Sequence, residues 1–525
     1  MMTSRPSEAG PVFVATGILL SRLTGLVRLR VFAHYFGLQS EAADAFNAAF
    51  RIPNALQNLF GEGALSASFI PVYAPLIDRG ESRQADRVAG AVGALVALVV
   101  SALVLAGVAA TPLLTSLIAP GFAGDKRALT IAIVRILFPG AGLLVLSAWC
   151  LGVLNSHRRF LLSYAAPVMW NAAMIATLVI FGSREELSLL AVALAWGSVL
   201  GSALQFAVQV PFVLRVAPDL RLVLDTASDH VKTVVRNFVP VFISRGVVQL
   251  SAYIDALIAS LLPTGAVTGL SNAQLLYTLP VSLFGMSVAA AELPELARTA
   301  AAESAAGDAV RGRLDRGVRR IAFFIVPSAM AFLALGDVIA AALLQTGRFR
   351  HEDATFVWGI LAGSAIGLLA STLGRLYSSA LYALGDPQTP LRCALTRVAV
   401  TTGLGYMCAI PLPRWLGLPL LWGAAGLTAS AGVAGWIEMF MLRRVLSRRI
   451  GRTALAPGYV AKLWVAAGIA AALAWGMKLG LALSDPVLAA LVVLVPYGAL
   501  FLGATLVLRV PEAQAAWRAL PLGKP

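Results

Sequence analysis

Apolar runs of about twenty residues recur along the whole chain, separated by short stretches that hold most of the charge. A helix rises about 1.5 Å per residue, so such a run matches the roughly 30 Å hydrocarbon core of a bilayer. The pattern predicts fourteen spans, at about 11–36, 43–77, 88–111, 128–152, 161–181, 188–214, 237–262, 270–296, 320–345, 354–384, 390–410, 418–442, 460–480 and 487–508. The polar/apolar alternation of a membrane barrel strand is missing, so the expected class is an all-α polytopic membrane protein. The second and tenth spans are too long for straight crossings and are expected to bend, tilt or extend beyond the bilayer.

Composition agrees: of 525 residues, 59% are hydrophobic. The formal charge of +15 would suit nucleic acid if it were clustered. Instead the basic residues occupy alternate loops, with Arg79, Arg83 and Arg87 after span two, Arg158 and Arg159 after span four, and Arg215, Arg221, Lys232 and Arg236 after span six. Arg298, Arg311, Arg313, Arg316, Arg319 and Arg320 follow span eight, and Arg443, Arg444, Arg448, Arg449 and Arg452 follow span twelve. The opposite loops hold little beyond Lys126, Arg127, Arg184, Arg348, Arg350 and Arg414. This bias predicts cytoplasmic termini, contact with anionic membrane lipids and no nucleic-acid partner. Cys150, Cys393 and Cys408 form no CxxC pair and read as packing residues. The first apolar run lacks a cleavage site and reads as a retained helix.

Span two contains FGEGALSASFIPVYAP and span eight FGMSVAAAELPELA, about 224 residues apart. Each has Phe-Gly, small residues and then proline, and each precedes a basic loop. The repeat predicts two six-helix lobes of parallel topology. The expected organisation is residues 1–215 for the first lobe, 216–445 for the second, and 446–525 for two added helices and a cytoplasmic tail.

Catalytic chemistry has no sequence support: the chain has no P-loop, HExxH or zinc pattern, and His34, His157, His230 and His351 are scattered. The signal is charge inside the spans. An ionised side chain at mid-bilayer costs about 2.5–3.5 kcal/mol on insertion scales, yet the stretch from Ser21 to Pro75 carries Arg22, Arg28, Arg30, Asp44, Arg51 and Glu62. Three readings apply: arginine heads that reach the interface, ion pairs joining Arg28 or Arg51 to Asp44 or Glu62, or a cationic cavity for an anionic substrate. Arg245 and Asp255 in span seven and Arg375 in span ten are further charges. Arg245 and Asp255 are about 15 Å apart along a helix, so Asp255 needs another partner, a coupling cation being one candidate. Gly25, Pro53, Gly61 and Gly63 serve close helix packing or hinge motion.

The phrases SRLTGLVRLRVFAHYFG, DAFNAAFRIPN and EGALSASFIPVYA resemble the signature of the MurJ (MviN) lipid II flippases of the multidrug/oligosaccharidyl-lipid/polysaccharide exporter superfamily. APGF at Ala119–Phe122, NSHRRF and AAPVMWN between Asn155 and Asn171, and YALGDPQTP at Tyr382–Pro390 extend the match over the first twelve spans. The resemblance implies a non-enzymatic flippase in the bacterial inner membrane, acting in peptidoglycan biosynthesis. Its substrate would be lipid II, with division or wall-synthesis proteins as further partners. Arg22 and Arg28 match cavity arginines, Asp44 and Glu62 match family acids, and Asp255 falls where some relatives bind sodium. Leu29, Gln57, Asn58 and Gln274 stand where the family has charged residues. Arg245 and Arg375 are the expected replacements for the missing positive charge. Flipping of another polyprenyl-linked glycan, a related exporter, or a non-transporting scaffold are the alternative readings.

Overall fold

The computed structural model describes residues 9–60, 62–159, 165–286, 288, 306–386, 388–451, 453, 456–481 and 483–519. Among these residues the regular structure is entirely helical. Each expected span coincides with a helix, a helix pair or part of one. Eight helices are long and apolar enough to cross a membrane, or nine if one bent pair is a single span.

The helices that matter below are α1 (Ala9–Phe36), α2 (Glu41–Phe60), α3 (Glu62–Asp78), α4 (Ser82–Ala109), α5 (Thr111–Ile118) and α6 (Gly124–Ser156). They continue as α7 (Pro167–Phe181), α8 (Leu187–Val216), α9 (Asp229–Ser260) and α10 (Ala266–Pro280). Glycine and proline set many boundaries. Gly37, with φ of +68°, ends α1 in the left-handed region where a Cβ is strained. The long second span becomes α2 and α3 on either side of residue 61, which lies outside the described residues.

The chain packs into two compact units. The first comprises residues 1–267 and 346–348, and the second 268–345 and 349–525. Span order predicted a lobe boundary near 215, whereas packing keeps the next helix, α9, with the first unit. The cause is visible in the irregular segment before α9. Its Asp219 N–H donates to Asp86 Oδ2 on α4 at 3.0 Å, and Gly90 on α4 lets the Arg221 carbonyl approach to 2.0 Å of where a Cβ would stand. The helix α9 itself then packs on α2, α3, α4 and α5.

Within the first unit, α6 and α8 meet through small and polar residues. Ser147 donates to Gln209 Oε1 at 2.7 Å and accepts from Gln205 Nε2 at 2.9 Å. Such interhelical bonds contribute about 0.6–2 kcal/mol each in a membrane. Two apolar clusters surround this seam, one built on Phe69, Tyr73 and Trp149, the other on Phe32, Phe36 and Phe46.

In the second unit the long tenth span is a broken helix, His351–Ala365 and Leu368–Ala383, bent by 44°. The bend exposes the Ile366 carbonyl, which accepts the Trp436 indole N–H at 2.8 Å. Gly367 lies against Gly432, where a Cβ would come within 2.4 Å of the Gly432 Cα. The helix α10 runs into a π-helical turn at Val281–Met286, and π turns are frequent at functional positions. Most of the second half of the Phe-Gly repeat, from residue 289 on, lies outside the described residues.

Candidate functional site

The charged stretch of the first unit divides into two places with different chemistry. At the loop end of α2, Asp44 is 1% exposed. Its Oδ2 accepts from Lys126 Nζ at 2.8 Å and from the Gly265 N–H at 2.9 Å. Lys126 also lies 4.3 Å from the Phe122 ring centre and donates to Thr264 Oγ1 at 3.4 Å. The APGF phrase joins this cluster, because the Gly121 N–H donates to Ser260 Oγ at 3.3 Å. Lys126 was one of the sparse opposite-loop charges in the sequence, and the signal that it pairs with Asp44 lies only in the fold.

Arg28 occupies the other place. Its guanidinium carbon stands 4.5 Å from the centre of the Trp170 ring on α7. Its Nη1 points at the Met174 sulfur at 3.4 Å. The Nε is sealed from solvent and makes no hydrogen bond. Among the described residues no carboxylate pairs with Arg28. Thioether and indole face are neutral and weak acceptors, so the cation keeps its full charge and most of its five donors. Asn171, the last residue of AAPVMWN, ties α7 to α1 by donating to Thr24 Oγ1 at 3.2 Å and to the Ser21 carbonyl at 3.4 Å. Arg22 is exposed on the same helix, about 9 Å away along the axis.

Arg51 lies near enough to Asp255 and Tyr253 for their charges to interact. Asp255 therefore stands within electrostatic reach of a positive group. No group of three or more His, Cys, Asp or Glu among the described residues could hold a metal.

Pro53 is buried within α2, and Gly25 faces open space, with nothing within 4 Å of an added Cβ. Gly61 and the side chains of Glu62 and Arg245 lie outside the described residues, as do the surroundings of Gly63. Arg245 belongs to α9 of the first unit and Arg375 to the second unit, where its side chain is exposed. Near Arg375, Arg397 pairs with Glu438 at 3.1 Å, and the Tyr277 hydroxyl meets Ser371 Oγ at 2.7 Å.

An all-helical, multi-span chain packed as two units has the make-up of a polytopic membrane transporter. Solved structures agree on the fold. A structure of lipid II flippase MurJ in an inward-closed conformation aligns with TM-score 0.76 at 20% identity, covering 95% of this chain and 100% of that one. An inward-facing multidrug resistance MATE family transporter of the MOP superfamily aligns with TM-score 0.65 at 16% identity, covering 84% and 98%.

The family model described as Lipid II flippase MurJ matches residues 32–494, and the chain belongs to that family. The lipid II flippase MurJ of Burkholderia cenocepacia is 33% identical over 437 residues, 82% of each chain. The probable lipid II flippase MurJ of Rhizobium meliloti is 32% identical over 465 residues, covering 87% of this chain and 84% of that one. The protein is thus a multi-pass membrane protein of a bacterial flippase family acting in peptidoglycan biosynthesis.

Proposed function

We propose that this chain carries lipid II, the polyprenyl-diphosphate-linked disaccharide-pentapeptide, from the cytoplasmic to the periplasmic leaflet of the bacterial inner membrane. The observation that supports it most is Arg28, a guanidinium on α1 whose contacts among the described residues are the Trp170 ring and the Met174 sulfur. A diphosphate offers the acceptors and the charge that this group lacks, in the forked geometry arginine favours. Arg22, on another face of α1, is assigned as a further basic group, and Arg245 of the same unit as a contributor from α9. Asp44, bound to Lys126 and Gly265, is assigned to holding the loop end of α2.

Alternating access is the proposed cycle, and its support is that relatives of the same fold are solved in inward-facing and outward-facing conformations. The headgroup enters from the cytoplasmic side, its diphosphate engages the arginines, and the polyprenyl tail stays in lipid. The basic loops support cytoplasmic termini. With the cytoplasm negative, outward movement of one net negative charge is favoured by about 2.3 kcal/mol per 100 mV.

The test is depletion of the protein from a cell without another flippase, followed by a probe for lipid II on the outer leaflet. Outer-leaflet lipid II should fall and recover with the parent gene. Arg28→Ala should lower transport about 10- to 100-fold, the loss expected when a charged donor is removed from a phosphate. Undiminished outer-leaflet lipid II after depletion would refute the function.

A further inference from the structure

Arg28 is the end of an aromatic ladder that crosses three helices. Phe36 and Phe32 of α1 stack at 4.5 Å between ring centres, Phe32 meets Phe46 of α2 at 5.6 Å, and Phe46 stacks on Phe50 at 6.2 Å. Phe50 then stacks on Trp170 of α7 at 5.7 Å with an interplanar angle of 28°. Arg28 lies over the Trp170 ring at 4.5 Å.

Trp170 is held from α2 and α8. Its indole N–H donates to Ser198 Oγ on α8 at 3.1 Å. Gly201 on α8 forms the notch that admits it, since a Cβ there would stand 2.9 Å from the Trp170 Cα and carbonyl oxygen. Phe50 supports the ring and Asn171, its neighbour in sequence, is bonded to α1. An arginine side chain carries about 2 kcal/mol of rotamer entropy, and a carboxylate that ordered it would also cancel its charge. An indole face orders the guanidinium through the ring quadrupole and leaves the positive charge intact.

We propose that Trp170 is a positioning residue of the headgroup site, a neutral platform that presents the Arg28 guanidinium to a phosphate. This rests on the reading of Arg28 as a headgroup contact. The identity of the residue matters more than its bulk: phenylalanine or tyrosine retains a π face, and leucine fills similar space without one. The Ser198 hydroxyl holds the ring, so it acts at one remove.

The experiment uses the full chain in lipid nanodiscs and purified lipid II as the probe, measuring its dissociation constant for the parent, Trp170→Leu, Trp170→Phe, Arg28→Ala and the Trp170→Leu/Arg28→Ala double variant. Trp170→Leu should weaken binding about 5- to 30-fold, the range from an exposed to a desolvated cation–π contact. Trp170→Phe should recover most of that loss. In the Arg28→Ala background, Trp170→Leu should have no further effect, because the platform then has nothing to present. Equal weakening in both backgrounds, or unchanged binding by Trp170→Leu alone, overturns the assignment while leaving Arg28 as a contact. Unchanged binding by Arg28→Ala overturns the headgroup reading itself. Ser198→Ala, which keeps the ring but frees its N–H, should weaken binding about 2-fold and provides the same comparison if Trp170→Leu does not fold. Equal weakening by Ser198→Ala in the parent and Arg28→Ala backgrounds would likewise overturn the assignment.

Discussion

Removing the Asp44 carboxylate separates a structural anchor from a substrate contact. Asp44 is 1% exposed and the Lys126 side chain 10% exposed, with 2.8 Å between the charged atoms. Taking away one partner of a buried pair leaves the other charge without compensation, at about 3–5 kcal/mol. Asp44→Ala also strands the Gly265 N–H, so it belongs at the upper end. Asp44→Asn keeps an acceptor for that N–H and should cost about 1–2 kcal/mol less. At about 2 °C per kcal/mol for a unit of this size, Asp44→Ala should lower the melting temperature by about 6–10 °C. The assay is thermal unfolding in lipid–detergent micelles at one scan rate, since such unfolding is irreversible. Lys126→Met should also destabilise, by leaving the carboxylate charge buried. The combined Asp44→Asn/Lys126→Met variant should lose less than the sum of its parts, by at least about 1.5 kcal/mol. Strict additivity, or an Asp44→Ala melting temperature within about 2 °C of the parent, would refute the anchor.

Two further outcomes follow from the loops. His157, in the NSHRRF phrase, lies 3.0 Å from the Tyr73 hydroxyl, and burial pushes its pKa below the usual 6.5, with Asp86 opposing the shift. The unfolded chain therefore takes up a proton that the folded chain resists, so stability should be full above pH 6.5 and decline as pH falls below it; His157→Gln should flatten that slope in melting temperature between pH 5 and 7, and an unchanged slope would show the histidine is not its source. Gly121→Ala would place a Cβ 2.0 Å from the Ser260 carbonyl oxygen, a backbone atom that cannot swing away, so a loss of about 1–3 kcal/mol is expected in thermal unfolding, against none for Gly403→Ala, a helical position whose added Cβ meets open space.

What could be read from sequence was what depends on short range and on the bilayer. Twenty-residue apolar runs dictate helices because a backbone in hydrocarbon must satisfy its own hydrogen bonds. The motifs from Ser21 to Pro390 marked the family, and the excess length of span ten called for a bend, a tilt or an extension, of which the fold shows a bend. Nothing local, however, indicates which charges meet. Asp44 lies 82 residues from Lys126 and 221 from Gly265, and Arg28 lies far along the chain from Trp170. Ion pairing and stacking act over a few ångströms, and only helix packing brings such positions within that reach. The placement of α9 with the first unit likewise goes with its packing on α2, α3, α4 and α5, which no periodicity encodes. The sequence by itself determined that charged residues stand inside the spans. The tertiary structure decided that Asp44 is neutralised by a lysine while Arg28 rests on an indole, because burial and distance, not residue type, set whether a charge is spent on the fold or kept for a ligand.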